Sequence, residues 1–464
     1  MLTDGYLNLA LSICADNPID CYTYLKTDFE GNVLWQKQLT NYPYKIQPTS
    51  NYNNYGVAIS SDESNFYFCG IVEVNGEPGD IFLMKTDALG DSLWLKTYGG
   101  PFTDVVATVL FRTDTTLLLY SDYSLGPNNN DVILLLETDL EGNVIWEGTY
   151  GDESGMVGRQ DILQLDNGDM VFNYLSCNKS GSCTAGDEQI LKVTKIDSFG
   201  EEVWTSDAYH FNKFGTSSMV SLDDGGYLLS FHRDNPSTGF LFPPILIWLD
   251  SMGNFVKQHD FPADTESRIS HITKTSSGTI IGTGFVDKWD LGFAGWVFAM
   301  SQEGDLLWNR EIIDYRFPAR WNELNAVAEA ENGGLILTGL IVDTFSNNVP
   351  GIYNRNIWLL KLDSEGCLEP ACGELQTVSI GSTASRSSGA LYPNPAGSFT
   401  SVALPPDIPR AAFVLYDQAG RTVLRLMLAP GQNEVPLNTV APGLYFYEVN
   451  DGMKRCLSGK LVKN

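Results

Sequence analysis

The chain has 464 residues and carries 29 Lys+Arg against 57 Asp+Glu, a formal charge of −28. Hydrophobic residues make up 43%, enough for a sizeable core, so wholesale disorder is excluded, and the missing basic footprint disfavours nucleic acid and anionic membrane as partners. Charged residues are only 19%, while Gly (44), Tyr (21), Phe (23) and Trp (10) are plentiful, which favours β structure over helical bundles.

The front of the chain shows no targeting segment. Met1-Leu-Thr-Asp-Gly-Tyr6 has no basic n-region, and the apolar stretch Leu7–Ile13 is interrupted by Asn8 and Ser12. No run of ~18 apolar residues occurs anywhere, so no transmembrane helix is expected. Cysteines fall into three close pairs, Cys14/Cys21, Cys177/Cys183 and Cys367/Cys372, with Cys69 and Cys456 single. The gaps inside the pairs are six, five and four residues with no nearby His, which argues against zinc and for disulfides in an oxidising compartment.

An internal repeat organises most of the chain. Thr27-Asp-Phe-Glu-Gly31-Asn-Val-Leu-Trp35 recurs as Thr86-Asp-Ala-Leu-Gly90-Asp-Ser-Leu-Trp94, Thr138-Asp-Leu-Glu-Gly142-Asn-Val-Ile-Trp146 and Ile196-Asp-Ser-Phe-Gly200-Glu-Glu-Val-Trp204. Leu249-Asp-Ser-Met-Gly253 and Ser301-Gln-Glu-Gly304-Asp-Leu-Leu-Trp308 follow, and a seventh copy, Leu362-Asp-Ser-Glu-Gly366, has lost its Trp. The glycines are separated by 59, 52, 58, 53, 51 and 62 residues, a period that fits a four-stranded propeller blade. The expected fold is therefore all-β, a seven-bladed β-propeller over residues 1–375. Strands A to D run from the axis outward, with the Asp-x-x-Gly turn joining C to D. The Trp after that turn lands on strand D, where a large ring can pack between blades. Calcium or carbohydrate could use the repeated Asp, Gly and Trp, but a ligand set is seldom repeated on every blade, whereas a fold requirement must be. No cofactor and no metal is expected, a structural calcium being the one exception the pattern allows.

The ends of the repeat are irregular. Seven B strands can be traced but only six A strands, and Met1-Leu-Thr-Asp-Gly5 matches the end of an A strand and its turn. An A strand, with a secretion signal before it, is expected upstream. The seventh D strand is poor, because Cys367-Leu-Glu-Pro-Ala-Cys372 holds a proline and a tight cysteine pair.

Chemistry-bearing motifs are missing: there is no Gly-x-Ser-x-Gly elbow, His-Glu-x-x-His, P-loop or Gly-x-Gly-x-x-Gly. The four histidines, His210, His232, His259 and His271, never sit at ligand spacing and read as loop or strand-surface residues. Topology, however, points to one face. In an up-down blade the A–B and C–D turns share one end, and here they are uniformly tight. The B–C and D–A connections share the other end, where they are long and rich in Tyr, Asn and Arg. Variable loops on a rigid scaffold are the usual place for recognition, and this composition suits glycans or protein surfaces. Tyr123, His232, Tyr315, Arg316, Arg320, Trp321 and Tyr353 are the candidate ligand-binding residues of that long-loop face.

Residues 376–390 form a Ser/Gly-rich linker with no apolar face. Beyond it, Leu391–Asn464 carries seven basic and five acidic residues, a charge of +2, so the first 390 residues carry −30. Within this tail Tyr392-Pro-Asn-Pro395, Phe413-Val-Leu-Tyr-Asp-Gln-Ala-Gly-Arg421, Pro442-Gly-Leu-Tyr-Phe-Tyr-Glu-Val449 and Gly459-Lys-Leu-Val-Lys463 follow in order. They resemble the C-terminal sorting domain of type IX secretion cargo, with Tyr392, Pro393, Asn394, Pro395, Gly443, Tyr445 and Lys460 as motif residues. Cys456 departs from the family pattern. The resemblance implies a small immunoglobulin-like sandwich at 391–464 that is read by the secretion translocon and by a sortase. It also implies an extracellular or cell-surface location in a Gram-negative bacterium, with sortase cleavage within Val378–Ala390. The front domain is similar to the Asp-x-x-Gly-x-x-x-Trp propellers attached to such tails, which concerns fold and not activity. Two functions are compatible with this: a non-catalytic adhesion or binding protein for glycan or protein ligands, or an exported hydrolase or lyase working in the funnel. The missing nucleophile, metal and cofactor signatures favour binding.

Overall fold

The computed structural model describes the strands and tight turns of the chain. Outside the described residues lie 369–395, the longer connections (40–43, 47–55, 75–78, 127–130, 152–157, 178–187, 212–216, 235–240, 262–265, 289–291, 315–320, 344–353, 405–409, 418–420, 451–454) and scattered single positions. The chain divides into two compact units, Met1–Ile380 and Gly381–Asn464.

The first unit is a propeller of seven consecutive antiparallel blades. Blade 3 shows the standard pattern, with strands A to D at Val105–Thr113, Thr116–Ser124, Asp131–Asp139 and Val144–Tyr150. Blades 4, 5 and 6 repeat it, opening on the A strands Gly158–Gln164, Ser217–Ser221 and Ser267–Lys274. Blade 2 has a divided A strand, Tyr44–Ile46 and Gly56–Ile59, both paired with its B strand. Blade 1 consists of Tyr6–Cys14, Asn17–Thr27 and Val33–Leu39. Its opening turn is closed by Leu2 N–H donating to the Gly5 carbonyl, as Leu222 N–H donates to Gly226 in blade 5. Blade 7 has strands Trp321–Glu329, Leu335–Asp343 and Asn354–Leu362, and among the described residues beyond them Leu368 bridges back to Leu362. Neighbouring A strands touch around the axis from blade 2 to blade 7, and the B strand of blade 1 lies against the C strand of blade 7.

Apolar burial sits between blades. Six clusters each join residues of consecutive blades, such as Leu83 and Val109 between blades 2 and 3, or Leu229 and Leu191 between blades 5 and 4. The repeated motif serves this packing. In the C–D turns the Asp carboxylate accepts two backbone N–H bonds: Asp139 Oδ1 takes them from Glu141 (2.9 Å) and Asn143 (2.8 Å). The bonds from Asn143, backbone first, hold the Asp139 carboxyl below the usual carboxylate range. The glycine has positive φ (Gly142, 72°; Gly200, 89°), and the Trp of the preceding blade packs against its bare α-carbon. A Cβ on Gly200 would stand 2.3 Å from Trp146, and one on Gly366 2.6 Å from Trp308. Each conserved feature of the repeat is thus used by the turn or by the next blade.

Blade 5 solves the same contact differently. Lys257 occupies the position of the D-strand Trp, and Gly304 of blade 6 is covered instead by Trp248 from the neighbouring C strand. The Trp248 indole N–H donates to the Gln302 carbonyl (2.6 Å), and the Lys257 ammonium lies 4.6 Å above the Trp248 ring.

The second unit is a two-sheet sandwich. Phe399–Leu404 pairs with Gly431–Pro436, and the other sheet runs Thr422–Leu428, Ala411–Tyr416, Gly443–Asn450, Arg455–Lys463. Val402 and Val435 of the small sheet meet Phe413, Leu415, Tyr445, Tyr447 and Leu461 of the large one in a single core. Burying these side chains at roughly 25 cal/mol per Å² is what holds so small a domain together.

Candidate functional site

The long-loop face is built by the first residues of the A strands and the last residues of the B strands. Tyr123 ends the blade 3 B strand half-buried, its hydroxyl packed over the bare α-carbon of Gly100. Trp321 opens the blade 7 A strand and pairs in parallel with Phe293 of blade 6, where the two rings lie 4.8 Å apart. Phe293 in turn meets Phe285 edge-on at 4.9 Å. This aromatic ladder joins blades 6 and 7 at the long-loop end of their strands. His232 lies on the blade 5 B strand opposite Pro244, and its side chain is outside the described residues. Tyr315, Arg316, Arg320 and Tyr353 also lie outside them.

Deeper along the axis, the A strands are stitched together by side chains that sequence reading did not single out. Asp161 of blade 4 accepts the Met219 N–H of blade 5 (2.7 Å) on one oxygen and the Ile162 N–H (2.9 Å) on the other. Ser218 of blade 5 accepts the Ile272 N–H of blade 6 (3.2 Å), and His271 Nδ1 of blade 6 accepts the Val327 N–H of blade 7 (3.4 Å). These three residues occupy the same register on their strands, opposite Asn173, Ser230 and Thr283. Bulges beside Asp161 and His271 turn the side chains towards the next blade. The bulge in blade 6 is matched by Gly284, whose Cβ would fall 1.8 Å from the Arg268 carbonyl. Burial pushes the Asp161 carboxyl up to about 6 and the His271 imidazole down to about 4. His271 is therefore a half-buried strand residue that serves as an acceptor between blades 6 and 7. His210 does stand at the surface, 3.0 Å from Glu188.

A second carboxylate, the buried Asp104, precedes the blade 3 A strand and accepts the Gly100 (2.7 Å) and Ser124 (3.0 Å) N–H groups. Burial raises its pKa first, and the nearby Asp80 and Asp131 carboxylates add to the rise. It pins the loop that follows blade 2.

Of the predicted disulfides, Cys177 and Cys367 are disulfide-bonded, while Cys183 and Cys372 lie outside the described residues. The side chains of Cys14 and Cys21 are also outside them; the strand register places Cys21 opposite Ser12 and Cys14 opposite Asn17. Cys69 is a buried thiol in the core between blades 2 and 3. No helix among the described residues is long and apolar enough to cross a membrane.

In the second unit Gly443 opens a central strand, Tyr445 is buried and donates its hydroxyl to the Ala441 carbonyl (2.8 Å), and Lys460 stands exposed opposite Phe446. Tyr392, Pro393, Asn394 and Pro395 lie outside the described residues.

Residues 390–464 match the family model described as the secretion system C-terminal sorting domain. No curated protein matches the chain. Among solved structures, PorZ of Porphyromonas gingivalis, described as a bacterial surface component of the type IX secretion system, is 12% identical with a TM-score of 0.40; the match covers 99% of this chain and 58% of that one. An α-L-arabinofuranosidase of Fusarium graminearum is 10% identical with a TM-score of 0.45, covering 68% of this chain and 96% of that one. An α-L-arabinanase of Penicillium chrysogenum is 12% identical with a TM-score of 0.44, over 70% and 98% of the two chains. Likeness this distant carries no argument about activity. Residues 390–464 are thus a type IX secretion C-terminal sorting domain, which addresses the β-propeller to the cell surface or the extracellular space of a Gram-negative bacterium.

Proposed function

We propose that the propeller is a non-catalytic binding module, displayed or released outside the cell, which recognises a glycan or a surface protein through its long-loop face. The observation that carries this reading is the use made of the two A-strand ionisable groups, Asp161 and His271, that join neighbouring blades. Both oxygens of Asp161 and the Nδ1 of His271 are spent on backbone N–H groups, Asp161 on its own strand and the next blade and His271 on the next blade. These bonds give Asp161 and His271 a structural use in joining the blades, which supports binding over acid/base catalysis at these two groups. On the long-loop face the partly exposed Trp321 and Phe293 rings, backed by the buried Phe285, supply an aromatic contact of the type that binding faces favour. The sandwich at 390–464 serves export through the translocon and sortase and takes no part in ligand binding. The test is a glycan and surface-protein array probed with the secreted protein, paired with hydrolysis assays on every glycan bound. Saturable binding without turnover is expected, weakened by Trp321→Ala. Turnover of a bound glycan would place the protein among exported hydrolases instead.

A further inference from the structure

We infer that the outer groove between blades 5 and 6 is a second binding site, for a neutral sugar unit. The groove is a cleft of about 550 Å³, within the range of small-ligand sites. Its floor is the edge of Trp296 on the blade 6 C strand, backed by the fully buried Phe298 with ring centroids 4.9 Å apart. Phe261 forms one wall, edge-on to Trp296 at 5.2 Å, and the exposed His259 stands edge-on to Phe261 at 5.0 Å.

The same groove recurs between blades 2 and 3, at about 470 Å³, but there Leu134 and Leu136 take the floor positions. Counted back from the turn glycine, the two floor positions read Thr23/Leu25, Phe82/Met84, Leu134/Leu136, Lys192/Thr194, Ile245/Ile247, Trp296/Phe298 and Trp358/Leu360. Only blade 6 makes both aromatic. It is also the blade whose neighbour departs from the repeat, with Lys257 in place of the D-strand Trp. An aromatic pair at these two positions is therefore confined to this one groove among the seven blades.

The polar groups select the ligand class. The Trp296 indole N–H donates to Asn309 Oδ1 (2.6 Å), which orients the amide and leaves its two N–H donors. Lys288 and Glu311 close on each other at 2.6 Å, a pair that offers donors and acceptors with no net charge. Asp260 accepts from Gln258 (2.8 Å). Aromatic surface beside mixed, charge-balanced hydrogen-bonding groups fits the apolar face and hydroxyls of a pyranose. The −30 charge of the first 390 residues disfavours an anionic one. The ligand class rests on the binding function proposed above; the location does not.

The test uses the full chain with cellobiose, lactose and N,N′-diacetylchitobiose as probes, and glucuronic acid and choline chloride as charged comparators. Saturation-transfer NMR and tryptophan fluorescence report binding, and thermal melts check folding. Saturable binding of at least one neutral disaccharide is expected, weakened about tenfold or more by Asn309→Ala and by Phe261→Ala. Asn309 is exposed, so its variant stays informative should Phe261→Ala unfold. Preference for choline or glucuronic acid, no saturable binding, or binding unchanged in Asn309→Ala would overturn the proposal. Binding that ignores both cleft variants but falls in Trp321→Ala would remove this site and leave the long-loop function standing.

Discussion

The contact between Trp and turn glycine makes a quantitative claim about what joins one blade to the next. Gly200 and Gly333 have nearly the same backbone, with φ of 89° and 77°. Replacing either by Ala forces an L-residue into the left-handed region, at about 1–2 kcal/mol. Their surroundings differ. A Cβ at Gly333 meets nothing within 4 Å, whereas a Cβ at Gly200 meets Trp146 at 2.3, 3.0 and 3.0 Å. The overlap adds the cost of overpacking, about 1–3 kcal/mol. Gly333→Ala should therefore lose about 1–2 kcal/mol and Gly200→Ala about 2–5 kcal/mol. Urea unfolding followed by fluorescence and circular dichroism, with m-values compared, measures both. A double-mutant cycle sharpens the point: in a Trp146→Ala background Gly200→Ala should cost no more than Gly333→Ala, a coupling of about 1–3 kcal/mol. Equal costs for the two glycine variants in the wild-type background, or no coupling, would refute the role assigned to the turn glycine.

The A-strand stitches predict opposite pH dependences. Asp161 has its folded pKa raised from 3.8 to about 6, so its contribution is complete below pH 4 and is lost as pH rises through 6; Asp161→Asn should remove a fall of at most about 3 kcal/mol across that window. His271 has its folded pKa lowered from 6.5 to about 4, so its contribution is complete above pH 6.5 and is lost as pH falls through 4; His271→Asn should flatten that acid limb in pH-dependent denaturant melts. Trp248→Ala should destabilise by about 3–5 kcal/mol, because it empties the cover of Gly304 and strands Lys257; an effect below about 1 kcal/mol would deny Trp248 the role of the missing D-strand Trp. A chain ending at residue 380 should keep the thermal midpoint of the propeller, since the two units have separate cores; calorimetry showing its unfolding lost or strongly shifted would contradict that independence.

Much of this architecture was legible in the residues. Repeating Asp-x-x-Gly turns at a period above 50 residues specify blades because the turn requires a left-handed glycine and a carboxylate that accepts N–H groups. The ordered tail motifs specify the sorting domain in the same way. What stayed hidden depends on pairs distant in sequence. Nothing local in Ser270-His271-Ile272 says that the imidazole reaches Val327 of the next blade, since a bulge decides which way it points. Trp248 is an ordinary strand residue until Lys257, where the repeat places Trp, raises the question of what covers Gly304. That substitution was the one readable signal for the groove between blades 5 and 6. The long-loop candidates were chosen by topology alone, and of these Tyr123 and Trp321 are the ones whose packing is described.

The central claim is that a β-propeller is exported by the domain at its C-terminus, and one measurement tests it directly. Residues 375–464 are fused to an inert periplasmic reporter in a Gram-negative host with a type IX secretion system, and the reporter is quantified in periplasm, surface and medium fractions. The reporter should leave the periplasm in the wild-type host and stay there in a host lacking the translocon. Retention in the periplasm of the wild-type host, under conditions where an established sorting domain exports the same reporter, would contradict the assignment.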